Sequence, residues 1–294
     1  MRRILTAFLS AIFLVSMGAM PALSAGKKIT VANVGFATPE SVEYYAAEDV
    51  YLVTNINGNP FEADGNGFIS KIRPDGSVVD LKWIDGSKPG TTLHAPKGAA
   101  ILGGLLYVAD RDQVHIFDLP NGKQHPSITI KGSTFLNGIT PGTDGYVYVT
   151  DTGLIPGFKP SGTDAVYKVW SNGKYEALAS DKTMGGPNGI VVDGNRLTVV
   201  SFGSGAVNGI DTTGNITALA KPKAGGLDGL LKLDDGRLLM SSWGGSSIYA
   251  MKGNSGFSVF ADNLDAPADM GFDSKRNRVL VPLFKKNEVV FLPL

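Results

Sequence analysis

The sequence predicts an all-β protein, a β-propeller with six four-stranded blades. Six short motifs, each opening an apolar strand, recur along the chain at 39–41, 96–98, 136–138, 187–189, 227–229 and 267–269. A repeat of about 40–45 residues that holds several short strands is typical of a propeller blade. The segments between the motifs are apolar or alternating, are broken by Gly, Asn, Asp and Pro, and show no long helical periodicity. These observations favour a repeat of antiparallel sheets.

Each repeat divides into predicted strands that are joined by two kinds of link. In the third repeat the strands are predicted at 137–140, 146–150, 165–169 and 174–179, and in the fifth at 228–233, 237–241, 247–251 and 257–261. The first and second strands, and the third and fourth, are joined by tight turns rich in Gly, Asn and Asp. The links between second and third strands are often long, as at 55–66 and 151–163. One face therefore carries the long loops and the starts of the first strands, and ligand sites favour such a face.

The last repeat shows only three strands after Ala268, and residues 28–34 belong to no repeat of their own. We expect this N-terminal strand to join the last blade as its outer strand. Pairing both ends of the chain in one sheet closes the ring and leaves no open edge between blades.

The N-terminus has the pattern of a secretory signal. Arg2 and Arg3 precede a mostly apolar segment at 4–20, and small residues follow up to Ala25. We predict a signal peptide at 1–25, a propeller at 26–294 and a periplasmic or secreted protein; an uncleaved membrane anchor is the alternative. The chain has no cysteine, which excludes disulfides and thiolate metal sites.

The charge balance argues against a nucleic-acid partner. Lys plus Arg and Asp plus Glu both total 27, so the chain offers no net positive charge to a phosphate backbone. We expect a small-molecule ligand, no membrane contact after signal cleavage, and a monomer.

The middle residues of the six motifs form a column. They are Glu40, Lys97, Asn137, Asn188, Asp228 and Ala268. Because the first strand of every blade faces the central channel, these side chains are expected to converge near the axis. Two carboxylates and two carboxamides make an oxygen-rich set that suits calcium. The alternative is that these residues only hydrate the channel and cap the strands, since Asn and Asp beside Gly are common turn residues.

Several segments resemble a known family. They are Pro39-Glu40-Ser41-Val42, Ala95-Pro96-Lys97-Gly98 and the segments at 55–60, 64–70 and 106–110, together with the Asn-Gly strand starts. Across the mature chain they resemble the senescence-marker-protein/gluconolactonase family of six-bladed propellers, which is related to paraoxonase-type lactonases and to strictosidine synthases. The resemblance implies one calcium ion held by Glu40, Asn137, Asn188 and Asp228, and calcium-dependent hydrolysis of lactones or related esters.

The expected chemistry is attack by water on a carbonyl polarised by the metal, with Asp228 as general base. Paraoxonase-type members carry a histidine at the blade-two position, where this chain has Lys97. Lys97 has three interpretations. It orients a negative group of the substrate, its ammonium replaces the metal and pairs with Glu40 and Asp228, or it extends to solvent.

Further substrate-binding candidates lie at the ends of second strands on the same face: Asn55, Asp110, Arg111 and Trp243. Asp110 is equally suited to bracing a loop, and Trp243 to plain packing. Two other functions stay open at this point. One is a non-catalytic propeller that binds a ligand or protein and holds a structural calcium, and the other is a condensing enzyme of the strictosidine-synthase type.

Overall fold

The computed structural model describes residues 26–143, 145–253 and 255–294. The predicted signal peptide at 1–25 lies outside these residues. The described chain forms six four-stranded antiparallel sheets, which are the blades of a propeller, so the predicted fold class is confirmed. No helix in these ranges is both long enough and apolar enough to cross a membrane.

The first strand of each blade lies innermost and packs against the first strands of its neighbours. After a short strand β1 (Ile29–Val31), blade one contains β2 (Pro39–Tyr45), β3 (Val50–Asn55), β4 (Phe68–Ile72) and β5 (Val78–Asp85). Blade two contains β6 (Pro96–Leu102), β7 (Leu105–Asp110), β8 (Gln113–Asp118) and β9 (Ile128–Thr129).

Blade three has an additional hairpin in its long loop. Its sheet contains β10 (Leu136–Pro141), β11 (Tyr146–Asp151), β14 (Ala165–Trp170) and β15 (Tyr175–Ser180), and the hairpin is formed by β12 (Leu154–Ile155) and β13 (Lys159–Pro160). A 3-10 helix at Lys182–Met184 then leads into blade four. That blade contains β16 (Pro187–Asp193), β17 (Arg196–Ser201), β18 (Val207–Ile210) and β19 (Ile216–Ala220).

Blade six is built from both ends of the described chain. Blade five contains β20 (Leu227–Lys232), β21 (Arg237–Ser242), β22 (Ser247–Lys252) and β23 (Phe257–Ala261), and blade six contains β24 (Gly271–Asp273), β25 (Arg278–Leu283) and β26 (Glu288–Pro293). Strand β1 adds to β26 in antiparallel register, with Ile29 opposite Phe291. The predicted closure by the N-terminal strand is therefore observed.

The hydrophobic core lies between blades. Each of the six interfaces holds one cluster of buried apolar side chains, and the cluster between blades six and one joins Val31, Val42 and Phe291. Such a core is shared around the ring, so each blade is stabilised by both neighbours.

A buried polar network also joins blade one to blade six. The Asp273 carboxylate is fully buried and accepts hydrogen bonds from the Tyr51 hydroxyl and from Arg276 Nη1 at 3.0 Å. Arg278 Nε lies 3.4 Å from the same carboxylate and donates to the Tyr51 hydroxyl. These contacts fix the two blades that the ring closure brings together.

Candidate functional site

A β-bulge marks the column position in five blades. The register of the first strand against the second shifts between Pro39 and Val42 in blade one, and at the equivalent positions of blades two to five. A bulge turns a side chain out of the regular alternation and is frequent beside active sites. The repeated motif therefore has a structural meaning, since it directs one side chain of each blade into the channel.

Hydroxyl side chains of the second strands satisfy the backbone that these bulges leave unpaired. Thr54 Oγ1 accepts a hydrogen bond from the Ser41 N–H at 2.9 Å, and Thr150 Oγ1 accepts from Gly138 N–H at 2.9 Å. In blade five, Ser241 Oγ accepts from the Gly229 N–H at 2.7 Å. A buried N–H without a partner is costly, so these bonds hold the bulged strand in its conformation.

The glycine that follows the column residue allows the inner strands to approach each other closely. A Cβ on Gly138 would lie 2.2 Å from the Asn188 main-chain oxygen, and one on Gly189 would lie 2.5 Å from that of Asp228. Any larger residue would push neighbouring blades apart. The Asn-Gly and Asp-Gly pairs thus set the width of the channel as well as its chemistry.

Three polar residues at the ends of second strands hold the loops that lead into the first strands. Asn55 Oδ1 accepts from the Ala37 N–H at 3.0 Å, and Asp110 accepts from the Ala95 N–H at 2.8 Å. Asp151 accepts from the Phe135 N–H at 2.9 Å in the same way. Each side chain fixes the approach of the main chain to a column residue.

Two of these residues, with Arg111, were predicted to contact substrate. Burial raises the pKa of Asp110, but hydrogen bonding to His115 and the charges around it outweigh this effect and lower the pKa to about 2. Arg111 has a left-handed backbone with φ 54° and forms a bridge to Leu136. None of the three lines the central cavity, so their contact with substrate stays a prediction.

Five of the six column side chains line one cavity on the axis. They are Glu40, Lys97, Asn137, Asn188 and Asp228. All five residues are at most 5% exposed, and the cavity measures about 370 Å³ when its opening to solvent is counted. Trp243, which was predicted to bind substrate, also lines it. The structure thus brings together the whole predicted metal set and both predicted catalytic residues.

Two buried carboxylate oxygens in this cavity have no hydrogen-bond partner. They are Oε2 of Glu40 and Oδ1 of Asp228. Burial raises the pKa of Asp228 to about 8, with a further contribution from the Asp269 carboxylate. Burial also raises the pKa of Glu40 well above its usual range, and Asp228 and Asp269 add to this effect. Without a bound cation, the ionised forms of both carboxyl groups are therefore disfavoured.

The amide of Asn137 is oriented by the blade behind it. Its Nδ2 donates to Thr152 Oγ1 at 3.1 Å, and Thr152 in turn donates to the Pro187 main-chain oxygen at 2.8 Å. Because this hydrogen bond uses the amide nitrogen, the amide oxygen of Asn137 is the atom that would act as a ligand to a cation.

The donor set fits a hard cation. Two unpartnered carboxylate oxygens and two amides match the oxygen ligands of calcium, with water or substrate for the remaining positions. Among the described residues, no group of three or more His, Cys, Asp or Glu side chains is arranged to hold a metal ion. Any metal here therefore depends on amide oxygens as well as on carboxylates.

Lys97 is buried at the edge of the cavity. It is 1% exposed, its Nζ donates to the Ala95 main-chain oxygen at 3.0 Å, and it lies 4.2 Å from the centroid of the Phe135 ring. Burial lowers its pKa to about 8, although the Asp110 and Glu40 carboxylates oppose this. The interpretation in which Lys97 extends to solvent does not agree with this burial. The pairing with Glu40 and Asp228 is not seen either, because Nζ donates to Ala95 while Glu40 Oε2 and Asp228 Oδ1 have no hydrogen-bond partner. An orienting role towards a negative group of the substrate stays a prediction.

The mouth of the cavity is formed by aromatic side chains that no sequence pattern groups together. Phe135, Phe158 and Phe202 join Trp243 and Phe284 in the wall. Of these, Trp243 was predicted on this face from its position near a strand end. The four phenylalanines lie outside the main strands, in loops, where no periodic pattern signals a shared surface.

No protein-family model matches the sequence, and no curated protein matches it. Solved structures do resemble it. A gluconolactonase from Xanthomonas campestris superposes with a TM-score of 0.72 at 18% identity, covering 91% of this chain and 89% of the other. A structural-genomics target described as a candidate gluconolactonase gives 0.69 at 14% identity, with 91% of each chain covered. Virginiamycin B lyase from Staphylococcus aureus gives 0.62 at 14% identity, covering 91% and 98%. These likenesses show that the chain has the six-bladed propeller fold of these structures.

Proposed function

We propose that this protein is a hydrolase of lactones or related esters that holds Ca²⁺ in its central channel. The observation that carries the proposal is the pair of buried, unpartnered oxygens, Glu40 Oε2 and Asp228 Oδ1, in a cavity at the loop face. Asn137 and Asn188 would supply neutral oxygens beside them. The likeness of the fold to gluconolactonase structures supports the same class of reaction.

When bound, the ion supplies a Lewis acid that polarises the ester carbonyl and lowers the pKa of a bound water. The residues of the chain do the rest. Asp228 would accept a proton from the attacking water, and the absence of a hydrogen bond to its Oδ1 supports this role. Lys97 would face negative charge that develops on the carbonyl oxygen. Hydrolysis adds one water across the acyl C–O bond, and a lactone gives a single hydroxy acid.

The rigidity of the column supports the proposal, because its side chains are held in position before a substrate binds. The column side chains project from bulged inner strands whose backbone is bonded to Thr and Ser hydroxyls. Rigid support of this kind keeps a reacting group in position without a cost at each turnover.

The test compares hydrolysis and calcium binding in matched variants. The protein, purified after expression of the full 294-residue sequence, is assayed on lactones and aryl esters in calcium and in EDTA. Glu40→Gln and Asp228→Asn each keep the shape of the side chain and remove its charge. The control is Asp235→Asn, which makes the same chemical change at an exposed turn.

We expect EDTA to abolish turnover and Asp228→Asn to lower kcat/KM by at least about 100-fold, as for loss of a general base. Calorimetric calcium titration should show weaker binding in both cavity variants and wild-type binding in the control. Calcium binding without hydrolysis of any ester would overturn the enzymatic assignment and favour the binding propeller. Full activity and affinity in both variants would show that the column is not the site.

A further inference from the structure

The wall of the cavity above the column is aromatic. The Trp243 ring lies 5.3 Å from that of Phe202 and 4.9 Å from that of Phe284. In a second group, the ring of Phe61 lies 5.0 Å from that of Phe135 and 5.2 Å from that of Phe158, and the last two rings line the cavity. A ligand whose ester group reaches the column therefore meets rings of both groups, which are in tilted or edge-to-face contact.

The same wall offers few hydrogen-bonding groups. Outside the column, the lining residues that the structure describes include two with polar side-chain atoms, Thr152 and Trp243. The Thr152 hydroxyl is already bonded to Asn137 and Pro187. Trp243 Nε1 has no partner and could bond one ligand oxygen. A polyhydroxylated ligand would therefore replace at most one of the bonds to water that its hydroxyl groups lose against this wall, at a cost for each of the others. The wall therefore selects against sugars.

Phe158 is exposed at the mouth in an unfavourable backbone conformation. Its φ is 56°, in the left-handed region where a bulky side chain is rarely found, and it is 51% exposed. Ile155, on the same hairpin, is 40% exposed. An exposed apolar ring that carries backbone strain contributes little to folding, so its position at the entrance indicates contact with a ligand.

A groove continues from the cavity between blades three and four. It shares Thr152, Leu154, Phe158 and Phe202 with the cavity, and its volume is about 1340 Å³ when the open side is counted. Phe158 and Leu154 thus border both spaces. A substituent attached to the reacting group would leave the cavity along this groove.

We propose that the substrate carries an apolar alkyl substituent, which lies against Phe158 and extends into the groove while the ester group faces the column. The inference rests on the proposed function and names its substrate class: alkyl-substituted lactones rather than sugar lactones.

The first test measures kcat/KM for three six-membered lactones: δ-valerolactone, the same ring with a pentyl substituent (δ-decalactone), and glucono-δ-lactone. We expect a gain of about fourfold for each methylene that enters the groove, and no gain from the sugar hydroxyls. Equal or faster turnover of glucono-δ-lactone compared with δ-decalactone would overturn the inference and leave the hydrolase assignment intact.

The second test is Phe158→Asn, because asparagine tolerates a left-handed backbone. The variant should unfold at the same or a higher temperature than wild type, and its loss in kcat/KM should be at least about tenfold greater for δ-decalactone than for δ-valerolactone. Val259→Thr is the control, since Val259 is 58% exposed on the outer strand of blade five and lines neither the cavity nor the groove. Equal losses on both lactones would assign Phe158 a structural role.

A binding measurement that needs no hydrolysis tests this inference independently of the proposed function. The lactam 6-pentyl-2-piperidone resists hydrolysis, and its binding is measured by calorimetry against unsubstituted 2-piperidone. Tighter binding of the pentyl lactam that Phe158→Asn weakens, in a protein that hydrolyses no ester, would overturn the enzyme and keep the apolar site. Equal binding of both lactams would overturn the apolar site.

Discussion

Replacing Asp228 with asparagine should stabilise the protein in the absence of a cation and destabilise it, relative to wild type, in calcium. The pKa of Asp228 is raised from 3.8 to about 8 in the folded protein. The folded state therefore holds this proton more tightly than the unfolded chain does. The contribution of Asp228 to the free energy of unfolding of the cation-free protein is therefore greatest below pH 4 and is lost as the pH rises towards 8.

The size of the effect follows from the shift. Each unit of pKa difference corresponds to about 1.4 kcal/mol, so raising the pH from 3.8 to 7 costs the cation-free protein up to about 4 kcal/mol. Asparagine keeps the shape of the side chain and has no charge to bury. At pH 7 in EDTA, Asp228→Asn should then unfold with a free energy up to about 4 kcal/mol above that of wild type.

The assay is urea unfolding at pH 5, 7 and 8, in EDTA and in saturating calcium. Calcium should raise the stability of wild type, because a ligand of the native state alone stabilises it by mass action, and should raise that of the variant much less. The variant should then have the higher free energy of unfolding in EDTA, and wild type the higher one in calcium. If Asp228→Asn were less stable than wild type in EDTA, the carboxylate would stabilise the cation-free fold. That result would contradict the prediction.

Three further substitutions test the scaffold. Asp273→Ala should cost about 3–5 kcal/mol in urea unfolding, because it leaves Arg278 without its buried partner between blades six and one. Asp110 has a pKa near 2, so its stabilisation is complete above pH 4 and is lost as the pH falls through 2. Acid unfolding should show a loss of about 2 kcal/mol over that range in wild type and little in Asp110→Asn. Gly138→Ala should lower stability by about 1–3 kcal/mol and weaken calcium binding, since the new Cβ meets the Asn188 main-chain oxygen.

Each of these variants has a control. Asp262→Ala removes an exposed carboxylate, and Asp234→Asn makes the same chemical change as Asp110→Asn at an exposed turn. Gly225→Ala adds a Cβ whose nearest neighbour, the Gly205 Cα, lies 3.7 Å away, an ordinary contact. A Gly138→Ala protein as stable as Gly225→Ala would show that the inner strands can separate, and an unchanged acid transition in Asp110→Asn would show that His115 is not its stabilising partner.

The architecture could be predicted because the repeat imposes it. Every blade must begin at the axis, so one motif per repeat marks every inner strand, and the start predicted at Asp228 differs from the observed β20 by one residue. For the same reason, Glu40 and Asp228 were expected to converge near the axis. Strand β1 was predicted in blade six because residues 28–34 had no other sheet to join.

The parts of the site that lie outside the repeat could not be predicted in this way. Asn55 and Asp110 lie on the expected face, but their side chains are bonded to main-chain N–H groups that the inner-strand geometry leaves in need of acceptors. Phe158 reaches the mouth from a hairpin that has no counterpart in the other sheets. Which loop covers a channel depends on how long loops fold over one another, and strand periodicity carries no information about that.

Because blade six needs strands from both ends of the described chain, the proposed metal site depends on closure of the ring. Glu40 and Asp228 come from blades one and five, which stand on either side of the blade that needs both Ile29–Val31 and Glu288–Pro293. A shortened chain that lacks its final strands has no wall to hold these two carboxylates at a fixed separation. The proposed ion would then bind only to finished molecules, and calcium affinity would measure the fraction of full-length, closed protein in a preparation.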